Sequence, residues 1–123
     1  MAITTNAICD SFKKELLGGI HNFDVAPGGN TFKLAMYNSN AVLGKSTTEY
    51  TATQEVSSPA GYTAGGKALV NTGTSVSSDV AITDFADLSF TNVTLTARGA
   101  LIYNSDATPD NEQAVCVLDF GGD

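Results

Sequence analysis

The chain has 123 residues, carries a formal net charge of −7, and is 42% hydrophobic but only 15% charged. Its length suits one domain whose core needs no metal or disulfide. Charged residues are scarcer than the usual share of about 25%, and the abundant Ser, Thr, Asn and Gly are typical of β-strands joined by tight turns. Apart from the adjacent Lys13 and Lys14, the six basic residues are scattered. A phosphate-binding groove needs clustered Lys and Arg, so this composition argues against direct nucleic-acid binding.

The first predicted element is a helix over residues 6–17. Ile8, Phe12 and Leu16 recur at every fourth position and form an apolar stripe, and the glycines at 18 and 19 supply the stop. A helix this short is marginally stable alone, so we expect the stripe to dock either on the chain's own sheet or on a neighbouring subunit. Neither a signal peptide nor a membrane-spanning run is recognisable, which predicts a protein made in a reducing cytoplasm.

Short strands are predicted for most of the remaining chain. Residues 31–37 alternate between apolar and polar side chains, as in a half-buried strand. The Thr-rich residues 47–56 suit an extended or edge segment. Paired glycines in residues 61–69 predict a strand with a bulge or a close backbone approach.

The last part of the chain carries the strongest strand pattern. Residues 71–79 are polar and predict a turn, and short strands over 80–90 and 92–97 follow it. The apolar runs 94–103 and 114–120 are joined by a polar loop. Both faces of residues 114–120 are apolar over most of their length, which is typical of a strand that is covered on both sides.

Together these patterns predict a mainly β fold, either a small β-sandwich or a partly closed β-barrel, with one N-terminal α-helix. No internal repeat or long linker divides the chain. We therefore expect a single domain over residues 1–123, with an N-terminal arm and helix at residues 1–19 and a β body at residues 31–123.

Residues able to carry out chemistry are few. Cys9 and Cys116 fall on apolar faces and are interpreted as free buried thiols, although the sequence leaves a disulfide between them open. His21 is the sole histidine and is interpreted as a loop or surface residue, with no neighbouring ligands at metal-binding spacing. We expect no metal, no cofactor and no enzymatic activity, because no nucleophile, base and orienting group can be assembled.

Arg98 is the one arginine and lies between two apolar runs. Its planar guanidinium suits a buried carboxylate better than a lysine ammonium does. Asp84, Asp87 and Asp119 are candidate partners, and we take Arg98 with Asp84 as the candidate structural salt bridge.

Several blocks spread over nearly the whole chain form a distinctive combination: residues 3–23, 32–37 (FKLAMY), 61–66 (GYTAGG), 84–87 (DFAD), 96–104 (TARGALIYN) and 114–123 (AVCVLDFGGD). In this combination the chain resembles a family of small virion-associated structural proteins of tailed bacteriophages. The resemblance implies a phage structural component. Within that class we favour a capsid decoration (cement) protein that binds the major capsid protein on the virion surface as a dimer or trimer. A tail or head–tail connector protein is the alternative.

A decoration protein would act by mass action, because many copies that bind the assembled shell stabilise the assembled state. We expect contacts from Ile3 in the N-terminal arm and from the helix stripe of Ile8, Phe12 and Leu16. Tyr50, on a free edge at residues 47–56, could add backbone pairing to a neighbour. Packing within the chain is the alternative for the stripe, and an ordinary solvated strand is the alternative for the edge.

Two hypotheses from other classes remain. A host-surface or carbohydrate-binding module would need exposed aromatic rings, and Tyr37, Tyr50 and Tyr62 are the candidate platform. An enzyme is the third hypothesis, and the single histidine and the two apolar-face cysteines give it little support.

Overall fold

The computed structural model of the protein describes residues 3–25, 27–57, 61–106 and 112–122. Of the described residues, 34% are in β-structure and 7% in helix. In chain order the elements are β1 (Ala7–Ile8), α1 (Asp10–Leu17), β2 (Phe32–Tyr37), β3 (Lys67–Ala68), β4 (Asn71–Ser77), β5 (Val80–Phe85), β6 (Gly99–Asn104) and β7 (Gln113–Asp119). The described strands form two sheets rather than a closed barrel, so the prediction of a mainly β, sandwich-like fold with one N-terminal helix is confirmed.

The larger sheet has five strands in the order β1-β7-β6-β2-β3. β6 lies at its centre and pairs antiparallel with β2 on one side and with β7 on the other. The side chains of β6 and β7 are mostly buried, with Leu101 and Val117 fully enclosed. The two apolar runs predicted as adjoining strands therefore form the middle of the core, as expected for strands that are covered on both faces.

The helix is shorter than predicted, because its first residues belong to the sheet. Ala7 and Ile8 pair with Val117 and Cys116 of β7, and the backbone N–H of Cys9 continues this ladder to the carbonyl of Val115 at 3.0 Å. The open edge of β7 satisfies these backbone groups, whereas the first turn of a helix would leave its N–H groups unpaired. Ile8 thus lies on a strand, and the predicted stripe of Ile8, Phe12 and Leu16 does not exist as one helical face.

The segment before β1 is attached to the core through Ile3, although residues 4–6 are exposed. Ile3 is fully buried, and its Cδ1 lies 2.8 Å from the point where a Cβ on Gly99 would sit. The same hypothetical Cβ would be 2.4 Å from the carbonyl oxygen of Leu118. Gly99 therefore lets both Ile3 and β7 approach β6 closely, and the expectation that Ile3 contacts a neighbouring subunit is wrong. Residues 1–2 of the predicted arm lie outside the described residues.

Three other segments differ from their predictions. Residues 71–79, expected to be a turn, contain strand β4. Residues 92–97 form no strand, and within residues 61–69 only Lys67–Ala68 does. The close backbone approach predicted from the paired glycines is confirmed at Gly66, where a Cβ would lie 2.1 Å from the carbonyl oxygen of Leu34.

Residues 47–56 do not form a free edge. Glu49 bridges to Gln113 and Glu55 bridges to Tyr37. The backbone N–H of Val56 also donates to the carbonyl of Met36 at 2.9 Å. Because these contacts tie both ends of the segment to β2 and β7, it cannot offer a continuous strand edge to a partner.

Candidate functional site

β4 and β5 form a two-stranded hairpin, residues 71–85, which we call the hairpin arm. Among the described strands, each of the two pairs only with the other. Val76, Val80 and Ile82 on the arm are 74%, 56% and 43% exposed. An isolated two-stranded hairpin is marginally stable in water, so an apolar hairpin that stands away from its body requires an explanation.

The base of the arm is anchored to the body. Phe85 packs against the rings of Phe23 and Phe32, with centroid distances of 6.2 and 5.7 Å. At the start of the other strand, the side-chain amide of Asn71 donates to the carbonyls of Asp24 and Asn30 at 2.9 and 3.0 Å. These contacts fix the direction in which the arm leaves the body.

The tip of the arm is a tight turn with an unusual composition. Ser78 and Asp79 have φ values of 49° and 67°, and positive φ at both central residues is what a type I′ hairpin turn requires. Asn and Gly are the residues that adopt this backbone most easily. The turn therefore reverses the chain in the conformation that suits a twisted hairpin, at some conformational cost.

The strand register divides the arm into two faces. Residues directly opposite each other share a face, and the residue pairs alternate between the two sides. The pairs Thr74–Thr83 and Val76–Ala81 lie on the same side as Phe85, which points into the body, and we call this side the inner face. The pairs Ser75–Ile82 and Ser77–Val80 form the outer face.

An open groove of about 570 Å³ separates the arm from α1. Phe12, Leu16 and Phe23 line it on the body side, and residues 74–76 and 81–83 line it on the arm side. No lining residue is charged. The groove therefore presents apolar surface from two different elements.

The structure places the residues predicted for an interface in three different environments. Leu16 is 47% exposed and lines the groove, together with the buried Phe12. Ile8 is half exposed, but on β1 and away from the groove. Ile3 and Tyr50 pack within the protein. The predicted strand at residues 80–90 contains β5 of the arm. Sequence reasoning missed its partner β4, since a Ser/Thr-rich strand that is mostly exposed has no apolar–polar alternation to reveal it.

The predicted tyrosine platform is instead an internal cluster around Glu55. The hydroxyl of Tyr50 donates to Glu55 Oε1 at 2.5 Å, and that of Tyr62 donates to Glu55 Oε2 at 2.6 Å. The backbone N–H of Gly65 donates to the same Oε2 at 2.7 Å. Tyr37 is fully buried and donates to the carbonyl of Thr51. These rings bind the chain to itself, so they do not form an exposed surface for a sugar.

Burial and the carboxylate keep these phenols protonated. Loss of hydration, followed by the hydrogen bond to Glu55, raises the pKa of both Tyr50 and Tyr62 well above 10. Burial, with Glu112 and Glu55 nearby, raises the pKa of Tyr103 to about 12. The tyrosines therefore act as neutral hydrogen-bond donors, and their partners are Thr51, Glu55 and Gly65.

His21 lies in the loop after α1, which agrees with one of its two interpretations, but it is buried rather than on the surface. Its Nδ1 lies 3.0 Å from the side-chain amide of Asn104, and its Nε2 lies 2.9 Å from Glu15 Oε1. The amide nitrogen of Asn104 can only donate, so Nδ1 of His21 accepts and Nε2 carries the proton that it donates to Glu15. The ring packs among Phe12 and Phe32, and it links α1 to the end of β6.

Arg98 forms its ion pair with Asp119 rather than with Asp84. Arg98 Nε lies 3.2 Å from Asp119 Oδ1, although the N–H is not aligned for a hydrogen bond. The reason is the strand register, because Gly99, the residue after Arg98, lies opposite Asp119. Asp84 is on the hairpin arm, where its carboxylate accepts the backbone N–H of Phe85 at 2.8 Å.

Both cysteines are free, as predicted. Burial is the main cause that raises the pKa of the Cys9 thiol to about 12 and that of Cys116 to about 11. Thiolates are the reactive form of cysteine, so both residues are poor nucleophiles at neutral pH.

In comparisons with known proteins, the chain matches no family model, no curated protein and no solved structure. The described part of the chain holds no group of three or more His, Cys, Asp or Glu side chains placed to bind a metal ion. Within the same residues, no helix has the length and apolar composition that crossing a bilayer requires.

Proposed function

We propose that this chain is a structural component of a tailed-bacteriophage virion, and that it decorates the capsid by binding the major capsid protein. The observation that carries the proposal is the hairpin arm, an anchored but uncovered β-hairpin with an apolar groove beside it. The resemblance of the sequence blocks to virion-associated proteins suggests that the chain acts in a phage virion. The arm supplies the surface with which such a protein would bind.

The arm is large enough to contribute useful binding energy. Fully burying a Val or Ile side chain contributes about 1.5–3 kcal/mol, and Val76, Val80 and Ile82 retain roughly half to three quarters of their exposure. A partner that covered both faces of the arm, Val76 on the inner face and Val80 and Ile82 on the outer face, would thus gain roughly 3 kcal/mol per copy. Repeated over many copies, binding to the assembled shell but not to free subunits stabilises the assembled state.

Other classes of function receive less support from the described residues. A carbohydrate-binding platform would need exposed aromatic rings, but Tyr37 and Tyr62 are buried and Tyr50 is hydrogen-bonded to Glu55. His21 is enclosed and already bonded on both nitrogens. We propose no catalytic role and no cofactor.

A reconstruction of the virion by cryo-electron microscopy tests the proposal. The expected result is many copies of the chain arranged with icosahedral symmetry on the capsid surface, as dimers or trimers, with the hairpin arm against the major capsid protein. A single ring of copies at the portal or along the tail would contradict the decoration role and favour a connector or tail protein. Absence of the chain from purified virions would contradict both.

A further inference from the structure

We propose that the groove between the hairpin arm and α1 binds an extended apolar segment of the major capsid protein that is flanked by basic residues. This inference rests on the proposed function and specifies the partner chemistry that the surface fits. It follows from the free strand edges, the uncharged lining of the groove and the distribution of charge around it.

The geometry suits an added strand. β4 and β5 have no second strand partner among the described residues, so each presents backbone N–H and C=O groups along its outer edge. A peptide that joins such an edge gains main-chain hydrogen bonds, and alternate side chains of the peptide enter the adjoining pocket. Here the pocket is the groove, with Leu16 on one wall and Val76 on the other.

The arm side of the groove is acidic, whereas α1 on the other side carries two acids and two lysines, Asp10, Glu15, Lys13 and Lys14. Residues 68–97 include Asp79, Asp84 and Asp87, all exposed, and contain no Lys, Arg or His. The two basic residues that flank this segment are occupied, since Lys67 donates to the carbonyl of Ser89 and Arg98 pairs with Asp119. An apolar segment with basic ends would match both the lining and the rim.

The same charges disfavour a second copy of this chain as the occupant. Two arms placed side by side would bring acidic rims together with no basic partner, and like charges across paired strands are destabilising. Each chain also carries a net charge of −7. A basic partner instead gains an attraction that weakens as salt increases, because exposed charges are screened beyond about 8 Å at physiological ionic strength.

Binding of purified chain to capsids assembled without it tests the inference. Val76→Ser removes apolar area from the groove and should weaken binding about tenfold. Asp79→Asn combined with Asp84→Asn should weaken binding at low salt and flatten its salt dependence. Glu49→Gln combined with Glu112→Gln is the matched control, because it removes the same charge from exposed sites outside the arm and should bind like the wild type.

The outcomes separate this inference from the proposed function. If wild-type chain binds capsids and the arm variants bind equally well, the groove inference fails and the decoration role stands. If the free chain forms a dimer that Val76→Ser dissociates, the occupant is a second copy and the inference also fails. If wild-type chain does not bind capsids, the decoration role itself fails.

In that last case the major capsid protein is also ruled out as the occupant, and a peptide titration tests the binding chemistry of the groove by itself. A short peptide of alternating Val and Thr with lysine at both ends, added to isotope-labelled chain, should shift the NMR signals of the hairpin arm and Leu16. The same peptide with glutamate at both ends should not. Equal shifts with both peptides, or shifts confined to other residues, would overturn the inference.

Discussion

Replacing Ile3 with alanine should destabilise the isolated chain by about 3–4 kcal/mol. Ile3 is fully buried and fills the space that Gly99 leaves beside β6. The substitution removes the equivalent of three buried methylene groups, worth about 2.4 kcal/mol in transfer free energy. The cavity left behind adds a further cost, because the surrounding strands can relax only partly.

Urea denaturation of the purified chain, followed by circular dichroism, measures this change in the free energy of unfolding. Val76→Ala is the matched control, since Val76 is 74% exposed and its truncation should change stability by at most about 0.5 kcal/mol. If Ile3→Ala behaved like this control, Ile3 would not belong to the core, and the segment before β1 would be a free arm after all.

Three further predictions concern the sheet, the tyrosine cluster and the arm. Gly99→Ala should lower the free energy of unfolding by about 1–3 kcal/mol, because its Cβ would overpack against Leu118. Gly44→Ala is the control and should be nearly neutral in the same assay, because its Cβ would meet no atom within 4 Å. Equal effects of the two substitutions would contradict the close packing of β6 and β7. The pKa of Tyr103 is raised from 10.0 to about 12. Its contribution to stability is therefore complete below about pH 10 and is lost as the pH rises toward 12. Urea denaturation midpoints should fall across this pH range, and they should fall less steeply in Tyr103→Phe. Replacing Ser78 with Asn and Asp79 with Gly should stabilise the arm by about 0.5–1 kcal/mol. The stabilisation should appear as slower amide hydrogen exchange in β4 and β5. Unchanged exchange would argue against a type I′ turn at the tip.

The parts of the fold that the sequence predicts are those whose apolar pattern is continuous. β6 and β7 are recognisable because both faces of each strand are buried, so nearly every side chain is apolar. β2 is recognisable from its alternation. Each of these patterns reflects burial within a few neighbouring residues, which is information that a local stretch of sequence contains.

The parts that the sequence does not predict depend on partners far along the chain. Ile8 fits a helical stripe locally, but pairing with Cys116 places it on a strand. The register of β6 and β7 places Arg98 beside Asp119. This register cannot be deduced from the spacing of residues in the sequence. His21 is buried by rings from α1 and β2 and by Asn104. Leu16 and Phe12 were predicted for an interface, but the arm opposite them was not.

The five-stranded sheet ends at both margins in a strand of only two residues, β1 on one side and β3 on the other. Edges this short give an incoming strand too little backbone to pair with, which is one way in which proteins avoid uncontrolled edge-to-edge growth. The long unpaired edges in the described residues are those of the hairpin arm. A chain built in this way can gain a strand only on the hairpin arm, so the margins of the five-stranded sheet would not carry growth from one molecule to the next.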